Sequence, residues 1–138
     1  MQSNLKQQEK ADVSDEELLK VIANFLKMGH VQNIVEMFKQ DIRYYEWVGT
    51  LLTDERFAVR LGVSVLFEYL IEDRPQETTL AIPSLAKVLQ HETVWVRGEA
   101  LSVLAIIGSP DALAAIKTLE NDPAPEIVDI VRDILLGK

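Results

Sequence analysis

The side chains with the greatest chemical potential in this chain are its two histidines, His30 and His91, the latter followed directly by Glu92. A His-Glu pair can contribute two donors to a metal, but a facial triad or a tetrahedral zinc site needs three or four donors converging on one point. One pair and one distant histidine do not supply them. His91 therefore reads as a surface turn residue standing where a helix-capping Asp would be expected. Serine nucleophiles are no better placed. Ser64 follows "LGV" and precedes "VLF", without the second glycine of a nucleophile elbow, while Ser84 and Ser102 fall inside helical patterns. The carboxylates Asp15, Glu16 and Glu17, and likewise Asp129 and Asp133, fall on faces expected to be solvated. The six glycines are scattered and form no phosphate-cradling loop. No catalytic, metal-binding or cofactor-binding residue is expected, and the protein is expected not to be an enzyme.

The elements that would position any site must fit within 138 residues, one domain's worth of chain. With 22 acidic and 14 basic residues the net charge is -8, which repels phosphate backbones and anionic membrane surfaces. Nucleic acid and membrane are therefore not expected partners. The absence of cysteine excludes a disulfide framework, a Cys-ligated zinc site and thiol catalysis. The start, "MQSNLKQQEKADV", has no apolar run suited to a signal peptide, and no window approaches a membrane span. A cytoplasmic location is expected.

Residues 1–13 read as a flexible tail and 14–138 as a single helical domain. "SDEELLKVIANFLKMG" carries a capping-box spacing at Ser14 and Glu17, a stripe of Leu18, Leu19, Ile22, Phe25 and Leu26, and a glycine stop at Gly29. Further helices are predicted over about 31–39, 41–52, 54–71, 78–90 and 94–107, followed by one from Asp111 and a last from 127 to 136. The 41–52 segment is expected to bury Tyr44, Trp47, Val48 and Leu51. "EDRPQE" is expected to be the longest loop, and Pro83 to sit in the first turns of the helix that follows.

Three segments align in one register. Val59, Val96 and Ile127 coincide, as do Val63, Ala100 and Val131, then Phe67, Leu104 and Leu135. Upstream, Val48, Leu85 and Ile116 match, and then Leu51, Val88 and Leu119. The turn position reads Asp54, His91 and Asp122, and the second-helix position reads Arg60, Arg97 and Val128. Two short helices bury too little surface to stand alone, so such units must stack. The pattern of a first helix, an Asp-led turn, Val-Arg and a second helix resembles the HEAT-like repeat of the armadillo type, in the bacterial style found in phycobilin-lyase-like proteins. "LENDPAPEIVDIVRDIL" carries the resemblance best. It implies a right-handed α-α superhelix of about eight helices in four pairs: 41–71, 78–107 and 110–137 as repeats, and 14–40 as a divergent first pair. It also implies that Asp54, Arg60, Arg97 and Asp122 are structural, the aspartates capping helices and the arginines bonding to turns.

In such a stack the second helices line the inner side. Arg56, Arg60, Ser64 and Glu68 fall along one side of the second helix of its pair, with Tyr69 nearby. Gly98, Ser102 and Ala105 form a small-residue patch on the next. Trp95 stands at the turn-to-helix junction where the other copies place Ala58 and Pro125. Trp95, His91, Glu68, Tyr69 and Ser102 are thus the candidate partner-binding residues. The expected function is a non-catalytic scaffold or adaptor that binds a protein or peptide. The resemblance offers two alternatives, a lyase-like subunit handling a tetrapyrrole and, less favoured by the charge, a nucleic-acid binder.

Overall fold

A computed structural model describes residues 13–138, so the expected tail, apart from Val13, lies outside the described residues. Among the described residues all regular structure is helical. Helix α1 (Asp15–Lys27) begins where the Ser14 hydroxyl accepts the Glu17 N–H at 3.1 Å, with Asp15, Glu16 and Glu17 in the first turn complementing the helix dipole. It ends at Gly29, whose φ of 82° lets the Gly29 and His30 N–H groups turn back to the Leu26 and Phe25 carbonyls. Helix α2 (Val31–Gln40) buries Val31, Ile34, Val35 and Phe38.

A 3-10 helix (Ile42–Trp47) runs directly into α3 (Val48–Leu51). The long α4 (Phe57–Asp73) follows, then α5 (Pro75–Thr78), a 3-10 turn (Thr79–Ala81) and α6 (Ile82–Val88) in unbroken succession. The chain finishes with α7 (Val94–Ile107), α8 (Pro110–Lys117) and α9 (Pro125–Leu135). Counting contiguous segments together gives eight helices among the described residues, the number expected.

These helices form two layers. α1, α4, α7 and α9 pack side by side in one, while α3, α6 and α8 form the other and cover it from behind. α7 buries Val96, Ala100, Leu101, Val103, Leu104 and Ile107 because it is flanked by α4 and α9 and backed by α6 and α8. Each such side chain contributes on the order of 1–3 kcal/mol when removed from water. The positions aligned by sequence register are the ones that meet at the core: Val59, Val96 and Ile127 are all buried, as are Val63, Ala100 and Val131. Two glycines permit the closest approaches. A Cβ on Gly62 would lie 2.8 Å from the Leu26 Cβ, and one on Gly49 would lie 2.5 Å from the Ser84 carbonyl oxygen. Ser84 is thereby explained, since its hydroxyl accepts the Gly49 N–H at 2.8 Å and ties α6 to α3.

Several expectations are corrected. The 41–52 segment starts as a 3-10 helix, and a period of three brings Tyr45 into line with Val48 and Leu51. Tyr45 is therefore the aromatic of this segment that is fully buried, set edge-on against the equally buried Phe38 and Phe67, while Tyr44 and Trp47 are half-buried beneath Arg43. "EDRPQE" is no loop. α4 runs through Asp73, and Pro75, which needs no N–H in a first helical turn, starts α5 after a single junction residue. Pro83 cannot donate to the Thr79 carbonyl, and the chain just before it winds as 3-10. Leu135 remains 43 % exposed where Phe67 and Leu104 are buried, because among the described residues no helix packs on the far side of α9. Segment 14–40 departs from the repeat arrangement: α1 joins the second-helix layer, whereas α2 leans on both α4 and the 3-10 helix.

Candidate functional site

The turns before α4, α7 and α9 are built alike. Asp54 Oδ1 accepts the Arg56 N–H at 2.9 Å, His91 Nδ1 accepts the Thr93 N–H at 3.0 Å, and Asp122 Oδ1 accepts the Ala124 N–H at 2.9 Å. His91 thus does the work of an aspartate, using an unprotonated ring nitrogen as acceptor. In each case the donor is the residue preceding the helix, so these side chains fix the turn. They do not cap the first N–H groups of the helix as expected of Asp54 and Asp122.

Arg60 and Arg97 then lock the turns. Arg60 donates from one terminal nitrogen to the Asp54 and Glu55 carbonyls, and Arg97 donates likewise to those of His91 and Glu92. With its remaining nitrogens Arg97 grips both Asp122 oxygens at 2.8 Å in the following turn. This fork is nearly dry, the Arg97 and Asp122 side chains being 11 % and 4 % exposed. Burial pushes the Asp122 carboxyl up, yet the Arg97 bonds, the Ala124 N–H and the Arg97 charge together hold it below the usual carboxylate range. The Arg56 side chain does the same for Asp54 against a smaller opposing effect of burial.

One rung of this ladder differs. At the position matching Asp122 the next turn offers Arg60 only His91, whose ring nitrogen is already engaged with Thr93. Arg60 instead bonds Glu99 on α7 at 2.8 Å and lies against the Trp95 ring, its guanidinium carbon 4.2 Å from the centroid, with the Phe57 ring at 5.5 Å. The residues in strict register with Trp95 are Ala58 and Glu126. Trp95 covers the arginine of the preceding unit, yet 41 % of it stays open to solvent, beside Phe57 at 62 % and Leu61 at 51 %.

The solvent sides of α4, α7 and α9 also enclose a shallow groove of about 440 Å³. Ser64 and Glu68 line it from α4, Ser102, Ala105 and Ile106 from α7, and Ile130, Asp133 and Ile134 from α9. Ser102 turns its hydroxyl to the Gly98 carbonyl of its own helix at 3.2 Å and leaves the groove floor smooth.

The five candidate residues consequently occupy different places. Glu68 and Ser102 share the groove. Tyr69 is exposed but stands about 100° further round α4 and does not line it. Trp95 belongs to the open patch at the start of α7, and His91 to the turn ridge. Phe57, Leu61 and Ile106 were missed, although Phe57, Leu61 and Glu68 recur on the face of α4 opposite Val59, Val63 and Phe67.

Comparison with known proteins adds no likeness. No family model, curated protein or solved structure matches the chain. Among the described residues no cluster of three metal-ligating side chains occurs, and no helix is long and apolar enough to cross a membrane.

Proposed function

We propose that this chain is a HEAT-like helical-repeat module without catalytic activity, and that it binds a protein or peptide on the face shared by α4, α7 and α9. One observation carries the proposal: that face combines a groove floored by small and aliphatic side chains with Phe57, Leu61 and Trp95 left open beside it. Exposed aromatic and aliphatic groups adjoining a preformed depression are the usual anchors of protein recognition. The matched turns at Asp54, His91 and Asp122, and the matched arginines at 60 and 97, support the repeat reading, because the side-chain bond that fixes the turn recurs in all three units and the arginine bonds to the turn carbonyls recur in two. On this reading Arg60, Arg97 and Asp122 belong to the scaffold, and the open face is left for a partner.

Affinity capture from lysate, read by mass spectrometry, tests the proposal when the wild type is run beside a variant combining Trp95→Ala with Glu68→Arg. Both replacements lie on solvent-facing positions, so circular dichroism should be unchanged. Proteins recovered by the wild type and lost with the variant are expected. Identical recovery would place the binding surface elsewhere.

A further inference from the structure

The docking face has a charge as well as a shape. Glu68 and Glu72 stand on the solvent side of α4, Glu126 and Asp133 on that of α9, and none of the four has an ion-pair partner among the described residues. The cations close by are largely committed: Arg60 is held by Glu99 and two turn carbonyls, and Arg132 faces Asp129. Among the described residues Lys138 is the one basic side chain lining the groove. Between these carboxylates the floor is apolar or small, with Ala105, Ile106, Ile130 and Ile134 alternating with Ser64 and Ser102.

From this arrangement we infer that the occupant is a cationic amphipathic helix, an inference resting on the docking face just proposed. Its apolar stripe would lie on Ala105, Ile106, Ile130 and Ile134, and its Lys or Arg side chains would reach the carboxylates of α4 and α9. Small residues at 64, 102 and 105 let a second helix axis come within about 8–10 Å. Three neighbouring helices at that spacing span roughly 20 Å, the length of about 13 residues of helix. A second copy of this chain carries the wrong sign, since its own corresponding face is acidic. Unlike charges steer such a helix to the groove and fix its orientation, and like charges exclude acidic competitors.

Selection from a phage-displayed library of random peptides of about 16 residues, long enough to span the three helices, tests the inference on the full chain. Enriched sequences are expected to place apolar residues at i, i+3, i+4 and i+7 and several Lys or Arg on the other face. A synthetic peptide of that sequence should bind Glu68→Lys/Asp133→Lys about tenfold more weakly or worse, and should weaken as salt is raised. It should bind Glu46→Lys/Glu120→Lys, which changes net charge equally at exposed sites off the groove, with a much smaller loss. Equal losses in the two double variants would reduce the effect to long-range attraction by an acidic protein and overturn the inference, as would neutral or acidic winners or no enrichment. If lysate capture still depends on the groove while the winners are not cationic, docking on this face stands and its cationic partner falls. If capture ignores the groove, the docking proposal itself fails.

Discussion

Replacing Arg97 by Met removes four hydrogen bonds at once: two to Asp122 at 2.8 Å and two to the His91 and Glu92 carbonyls at 2.9 and 3.2 Å. The carboxylate left behind is 4 % exposed and keeps, among the described residues, only the Ala124 N–H. Exposed ion pairs contribute at most about 1 kcal/mol, whereas stranding one partner of a buried pair costs about 3–5 kcal/mol. Methionine retains part of the stem's packing, so a loss of about 3 kcal/mol is expected, close to 10 °C in Tm for a domain of this size. Arg60 occupies the same repeat position but has a single bond to Glu99, with side chains 13 % and 28 % exposed. Urea unfolding of the cycle Arg97→Met, Asp122→Asn and the double variant should give a coupling energy of about 2 kcal/mol, against under about 1 kcal/mol for Arg60→Met with Glu99→Gln. The two arginines share a helix register, and only their partners differ, Asp122 lying in the turn before α9 and Glu99 on α7 itself. Equal couplings, or a near-zero value for Arg97 with Asp122, would refute the claim that the turn ladder holds successive units together.

Three other consequences are open to measurement. Burial, with the Glu77 charge adding to it and Arg74 opposing it, pushes the Tyr45 hydroxyl up to about 12, and its oxygen has no hydrogen-bond partner among the described residues. Since the unfolded value is about 10, the folded form is fully stable below that pH and loses at most about 3 kcal/mol as pH rises through 12; Tyr45→Phe should be neutral or stabilising at pH 7 and should flatten this alkaline decline in denaturation scans. Asp122 titrates below its unfolded value, so its stabilisation is complete above about pH 4 and fades as the pH falls further; the Asp122→Asn protein, less stable at pH 7, should show a shallower acid slope. Gly49→Ala drives a methyl group into the Ser84 backbone and should lower stability by about 1–3 kcal/mol, measured by thermal unfolding, with an unchanged Tm as the contrary result.

The legible part of the fold is the part set by repeated helix–helix contacts. Val59, Val63 and Phe67 recur as Val96, Ala100 and Leu104 because each triplet faces the same neighbours, and periodicity alone recovers that. Local hydrogen-bond chemistry was harder to read. Tyr45 rather than Tyr44 enters the core because the helix winds with three residues per turn, and "EDRPQE" is helical because Pro75 lands at a first-turn position. Leu135 is open because cover at that register needs a neighbouring helix, and among the described residues none packs on that side of α9. For the site, Glu68 and Ser102 could be placed from helical spacing, but the Arg60 contacts with Trp95 and Glu99 join residues of different helices that no single-helix pattern connects. The replacement of Asp by His at position 91 was visible; its effect on Arg60 required the turn geometry.

The most direct test of the docking account is residue-level mapping. Amide NMR spectra of the labelled protein, titrated with the cationic peptide selected above, should show perturbations concentrated at Ser64, Glu68, Ser102, Ala105, Ile106 and Ile130, with α3, α6 and α8 unaffected. Perturbations centred on the turns at His91 and Asp122, or on the opposite layer, would contradict it.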